Sequence, residues 1–200
     1  MEIWNSKIIM KKIFTIKSQS LLIYSIFILA FIERVWFDLG PNIELITLAS
    51  ILAAFYLNKK STFLLIFGTV ALSDLLIGNS NIFLFTWTGF LLPILAISIF
   101  KSLNVSRILS GTLAGVSSNL FFFFWTNFGV WTLDSWDMYP NTIFGLMSSF
   151  INGIPFLKYQ LTSTLFFVPI GFILYEIIFN NLIMKIKKSS AQIILNKVNG

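Results

Sequence analysis

Residues 108–128 read ILSGTLAGVSSNLFFFFWTNF, 21 consecutive positions without Asp, Glu, Lys, Arg or His. About 20 apolar residues span the hydrocarbon core of a bilayer, so this stretch predicts a transmembrane helix. It is not apolar all round. Asn119 and Thr126 lie seven apart and nearly superimpose on a helical wheel; Asn127 falls on the same side, and Gly115 lies four before Asn119. Polar side chains within a membrane turn toward the bundle interior or a water-filled cavity. The stretch therefore predicts a bundle of several helices, with this face inward. Gly111-x-x-x-Gly115 has the small-residue spacing at which membrane helices approach closely. Hydrogen bonding between helices and contact with a ligand are both open for Asn119. For Asn127, near the outer mouth, a ligand is favoured.

Working outward, the whole chain has the same character. Of 200 residues, 56% are hydrophobic and 11% charged, where soluble domains carry about 25% charged. Hydropathy predicts an all-α integral membrane bundle of six transmembrane helices, at about 20–36, 43–57, 61–77, 82–100, 108–128 and 160–180. The first is read as a retained helix rather than a signal peptide, because it lacks a small-residue cleavage site and ends in Glu33-Arg34. Asn42 is expected to cap the second helix, with Glu44 at its positive end. Pro93 and Pro169 fall inside the fourth and sixth spans, where kinks make room for a cavity. In the long connection 129–159, Pro140-Asn141 and Gly153-Ile154-Pro155 bracket an interfacial helix at about 142–154. The domain plan is a basic segment 1–19, a membrane domain 20–182 and a basic tail 183–200.

Charge orients this plan. With both termini cytoplasmic, 12 of the 14 cations face inward: Lys7, Lys11, Lys12, Lys17, Lys59, Lys60, Lys101, Arg107, Lys185, Lys187, Lys188 and Lys197. Only Arg34 and Lys158 face outward, as the positive-inside rule requires. The formal net charge of +6 thus reflects orientation and anionic lipid, not nucleic acid. With no His and no Cys, Ser-His-Asp and Cys-His catalysis, the usual zinc sites and His- or Cys-ligated haem are excluded. No enzymatic role and no cofactor or metal are expected.

The candidate site lies at the outer end. Asp74, near the end of the third span, shares a stripe with Ala71 and Gly78; it either faces a neighbouring helix or a cavity or lies at the water interface beside the Gly78-Asn79-Ser80-Asn81 loop. Trp36, Asp38 and Asn42 occupy the first outer loop; Trp125, Trp131, Asp134, Trp136, Asp137, Tyr139 and Asn141 surround the third. The inner end is poorer in aromatics, having Trp4, Tyr56 and Tyr175. An interfacial belt would be more even. The asymmetry favours an outward pocket in which a flat ligand stacks on aromatics while amides orient it. The ligand set read here is Asp74, Asn119, Asn127, Trp125, Trp131, Tyr139, Asn141, Trp36 and Asn42. Glu176, in the inner half of the last span, is read first as pairing or hydrogen bonding with an inner cation or a neighbouring helix, with contact to a partner subunit or proton coupling as the alternative.

Several stretches carry a family likeness: Glu33-Arg34, Pro41-Asn42-Ile43-Glu44, Ser73-Asp74-Leu75-Leu76, Thr126-Asn127-Phe128-Gly129-Val130-Trp131, Tyr139-Pro140-Asn141-Thr142 and Pro155-Phe156. Together they resemble an uncharacterised prokaryotic integral-membrane family. That family in turn looks like the substrate-binding S components of energy-coupling factor (ECF) vitamin transporters. The resemblance implies a subunit of a prokaryotic cytoplasmic membrane that binds a vitamin or related micronutrient in an outward pocket. It also implies a scaffold subunit and ATPases as partners. The chain has no Walker A motif of its own. S components often carry Ala-x-x-x-Ala in the first helix; here that helix offers Ser25 and Ala30 but no such pair. A solitary secondary transporter and a non-transport membrane scaffold are the alternatives.

Overall fold

The computed structural model describes residues 20–37, 39–40, 42–78, 81–133 and 137–198, with side chains through Asn181 and at Met184. The basic segment 1–19 lies outside these residues, as do Asp38, Asp134, Trp136 and the side chains of Lys185, Lys187, Lys188 and Lys197. Every regular element among the described residues is a helix: α1 (Ser20–Phe37), α2 (Ile46–Tyr56), α3 (Lys59–Ile77), α4 (Phe83–Gly89), α5 (Leu92–Phe100), α6 (Arg107–Leu133) and α7 (Ile143–Val198). Five segments are long and apolar enough to cross a membrane: α1, α3, α4 with α5, α6, and residues 143–181 of α7. The chain is therefore a helical membrane protein.

The expected second span is much shorter than 43–57. α2 has 11 residues and rises about 16 Å, roughly half of a bilayer core of about 30 Å. The six-span count accordingly rests on a helix that cannot cross by itself. Nine of its eleven residues are buried, with Ile46, Ala49, Ile51, Leu52 and Ala53 at 0% exposure. It is the centre of the core rather than a lipid-facing wall. Asn42 does not cap it: this residue takes a left-handed conformation (φ 58°), and Leu45 occupies the cap position without a side-chain bond. The carboxylate that meets this helix start comes from α1, where Glu33 Oε2 accepts from Leu45 N at 3.2 Å.

Two prolines also act differently from expectation. Pro93 is not inside a continuous span. The helix breaks at Phe90-Leu91, and Pro93 sits in the first turn of α5, where a missing N–H leaves no bond unmade. Pro155 does not end a helix: residues 142–154 and 160–180 belong to one helix, α7, which runs through both Pro155 and Pro169. Packing against a neighbouring helix lets membrane helices accommodate such positions, and α6 lies against α7 through both prolines as far as Glu176.

That bracing sets the register of the bundle. A Cβ on Gly111 would lie 2.4 Å from the Phe172 ring, and one on Gly115 would lie 2.7 Å from Thr164. Higher up, Asn119 Nδ2 donates to Gln160 O at 3.0 Å and Thr164 Oγ1 at 2.6 Å. The pairing of ascending with descending numbers shows the two helices antiparallel. At one end, Arg107 pairs with Glu176 at 3.6 Å, and Lys101 Nζ donates to Phe55 O at 2.7 Å. At the other, Trp131 Nε1 donates to Pro140 O at 3.2 Å.

The loops 101–106 and 137–142 thus lie at opposite ends of a helix about 40 Å long. Since the chain has no Cys, single Cys variants give a clean label. In sealed vesicles, Asn104→Cys and Asn141→Cys are expected to react with a membrane-impermeant maleimide from opposite faces. Labelling of both from one face contradicts the arrangement.

Candidate functional site

Charged groups within an apolar bundle must be paired, and the end that holds the 137–142 loop is organised around one such group. Arg34 lies in the last, π-helical turn of α1, and its side chain is 7% exposed. Nε donates to Ser73 Oγ at 2.9 Å, Nη2 to Asp74 Oδ1 at 2.8 Å, and Nη1 to Glu44 Oε1. Asp74 Oδ2 accepts from Trp87 Nε1 at 2.8 Å. The guanidinium also sits 5.3 Å from the Phe90 ring centre, within cation–π reach. One cation thus ties α1, the 42–45 linker, α3, α4 and the α4–α5 break.

Beside this network opens a cavity of about 490 Å³, within the range of small-molecule sites. Arg34, Asn42 and Glu44 form one rim, and Thr86 and Phe90 line the α4 side. α6 contributes Phe122, Phe123, Thr126, Asn127 and Val130; α7 contributes Asn152, Gly153, Phe156, Leu157 and Gln160. Met138 and Tyr139 come from the loop between these two helices. The loop is held in place by a hydrogen bond from Asn152 Nδ2 to Tyr139 Oη at 3.2 Å. Gly153 lets α7 approach the Asn127 amide closely: a Cβ there would lie 2.5 Å from Asn127 Oδ1 and would displace that side chain. Below the cavity the bundle is filled by Ile51, Val168 and Phe172, each at 0% exposure.

The expected site residues divide into three groups. Asn42, Asn127 and Tyr139 line the cavity. Asp74 and Asn119 do not: Asp74, 2% exposed, holds the ion network beside it, and Asn119, 1% exposed, joins α6 to α7 below it. Trp36, Trp125, Trp131 and Asn141 lie off the cavity wall. Trp36 is 66% exposed and packs edge-on against Phe31. Trp125 donates to Thr88 Oγ1 at 2.8 Å and packs between Phe85 and Phe128. The aromatic walls are therefore phenylalanines and Tyr139. The tryptophans lie where an interfacial belt would lie.

Arg34, Glu44, Asn152 and Gln160 join the site without having been read as ligand residues. For the first two, the usable signal was charge at the ends of apolar stretches, which demands partners. For the other two, it was the i, i+4, i+8 stripe Asn152, Phe156, Gln160, hidden by the expected helix end at Pro155. Among the described residues, no three acidic, His or Cys side chains cluster in a way that could hold a metal ion.

Comparison with family models matches residues 14–188 to DUF6580, a family of unknown function. None of the curated proteins matches, and neither does any solved structure.

The ion network and the cavity wall make different demands on stability. Removing one partner of a buried ion pair costs about 3–5 kcal/mol. Asn127 donates only to Phe123 O in its own helix, at 2.8 Å, and its loss is expected to cost under about 1 kcal/mol. Unfolding in mixed micelles should therefore place Asp74→Ala about 3 kcal/mol below the parent and Asn127→Leu close to it. Equal losses would contradict the division between network and wall.

Proposed function

The chain belongs to DUF6580, a family of unknown function, and from its cavity we propose that it is a membrane subunit that binds a small micronutrient for uptake. The single observation behind this reading is a cavity of about 490 Å³ with aromatic walls and four primary amides, at one end of a bundle filled beneath it. A scaffold protein has no need of such a volume. The likeness to ECF S components supports the transport role, as does the charge distribution that puts the cavity end outside. On this reading the chain lies in a prokaryotic cytoplasmic membrane with both termini inside, and α2 completes a sixth traverse within the bundle.

A second reading, transport without a shared ECF scaffold, is favoured by α1. Ala30 is 0% exposed, so this small residue packs into the chain's own core. Leu21, Ile28 and Leu29, each more than half exposed, share the outward side of α1 with Ser25, which is also exposed. A single exposed small residue makes no i, i+4 small pair for a partner helix to approach closely.

Native mass spectrometry of the protein, purified in mild detergent from the cell that makes it, tests the proposal. A discrete bound mass below about 1 kDa is expected, and Asn127→Leu should lose it while remaining monodisperse. Only lipid masses in both proteins would contradict a binding subunit. ATPase subunits in the same spectrum would contradict the solitary carrier and favour the energised complex.

A further inference from the structure

We propose that the cavity takes a planar heteroaromatic ligand that bears hydrogen-bond donors and acceptors on its edge and no anionic group. This rests on the reading of the cavity as a binding site and adds the chemistry of its ligand. The charged and the uncharged groups on the wall are in contrasting states.

Among the described residues that line the cavity, Arg34 and Glu44 are the only charged ones. Each of the three nitrogens of Arg34 already faces a protein acceptor, two of them carboxylates. One positive and two negative groups leave the Arg34, Glu44 and Asp74 cluster at a net −1. A carboxylate or phosphate in this cavity would meet a cation whose charge is already shared by two carboxylates, and a negative surplus. It would have to shed its water without a compensating ion pair, which is costly in an apolar surround.

The amides are in the opposite condition. Gln160 lines the cavity and is 9% exposed; its backbone carbonyl accepts from Asn119 Nδ2, and among the described residues its side-chain amide has no hydrogen-bond partner. Asn127 uses Nδ2 on Phe123 O, and Asn152 uses Nδ2 on Tyr139 Oη. Each amide has two donors and an acceptor with two lone pairs, so capacity of both kinds remains at different points of the wall. These amides open onto the cavity, and a ligand edge with ring nitrogens, amides or carbonyls would match their remaining donors and acceptors. The rings of Phe90, Phe122, Phe123 and Phe156 supply faces for a flat aromatic body.

The test uses the full chain in detergent and matched probes that differ mainly in an anionic group: nicotinamide and nicotinate, uracil and orotate, adenosine and its 5′-monophosphate. Binding is read by native mass spectrometry and equilibrium dialysis. In each pair that registers, the uncharged member should bind at least about tenfold tighter, and Gln160→Leu should remove that binding without lowering the melting temperature. An anion that binds as well as its uncharged partner overturns the proposal. So does Gln160→Leu binding at parental strength. If Gln160→Leu does not fold, Gln160→Glu serves instead, and parental binding there overturns the proposal equally. Should no probe register while a co-purified mass is still lost in Asn127→Leu, the heteroaromatic class is wrong and the binding site stands. Should the co-purified mass be missing as well, the binding site itself falls.

Discussion

A single buried arginine sets the shape of one end of this bundle. Arg34 cannot sit unpaired among apolar helices, so the ends of α1 and α3 and the start of α2 must converge on it. Asp74 and Ser73 bring α3, Glu44 brings the linker before α2, and Trp87 reaches Asp74 from α4. Glu33, the neighbour of Arg34, meets the first turn of α2 through Leu45 N. The convergence gives the cavity a rigid rim on one side. The opposite side, α6 and α7, is held by close backbone approach at Gly111 and Gly115 and by the hydrogen bonds of Asn119. The cavity is the space between these two constructions.

The polar face of α6 thus serves two purposes along one helix. Toward the Lys101 end, Asn119 and the glycines are consumed in packing against α7. Toward the other end, Thr126 and Asn127 line the cavity, with Gly153 in close approach to Asn127, and the face opens onto free volume. The division follows from what α7 places opposite each residue, a property of the pair and not of α6.

This explains what could be read from the chain alone. The helical class, most apolar stretches and the inward face of α6 follow from hydropathy and periodicity, which are local. Of the roles open to Glu176, the structure gives the pairing with an inner cation, Arg107. Asn42, Asn127 and Tyr139 were legible as wall residues because they are polar or amphipathic at an apolar end. Asp74 and Asn119 have the same local signature, yet their partners lie on other helices, 13 to 45 residues away, and no local pattern separates a bridging side chain from a lining one. The tryptophans misled for a related reason: Trp is at home both at a membrane interface and in a ligand site. Pro155 misled because its usual effect on a helix is overridden by tertiary packing, and with it went Asn152 and Gln160.

The brevity of α2 bears on how the protein is made. An 11-residue helix cannot lodge in lipid on its own, since its ends would leave backbone groups in hydrocarbon without partners. Its neighbours α1 and α3 can insert early, but the surfaces that cover α2 include Phe172 in α7 and Gly115 in α6. The central layer of this protein therefore has no stable place in the membrane until the last helix has emerged from the ribosome. Truncation after α6 leaves the core itself without a home, and a cell's quality control would meet that fragment as unassembled.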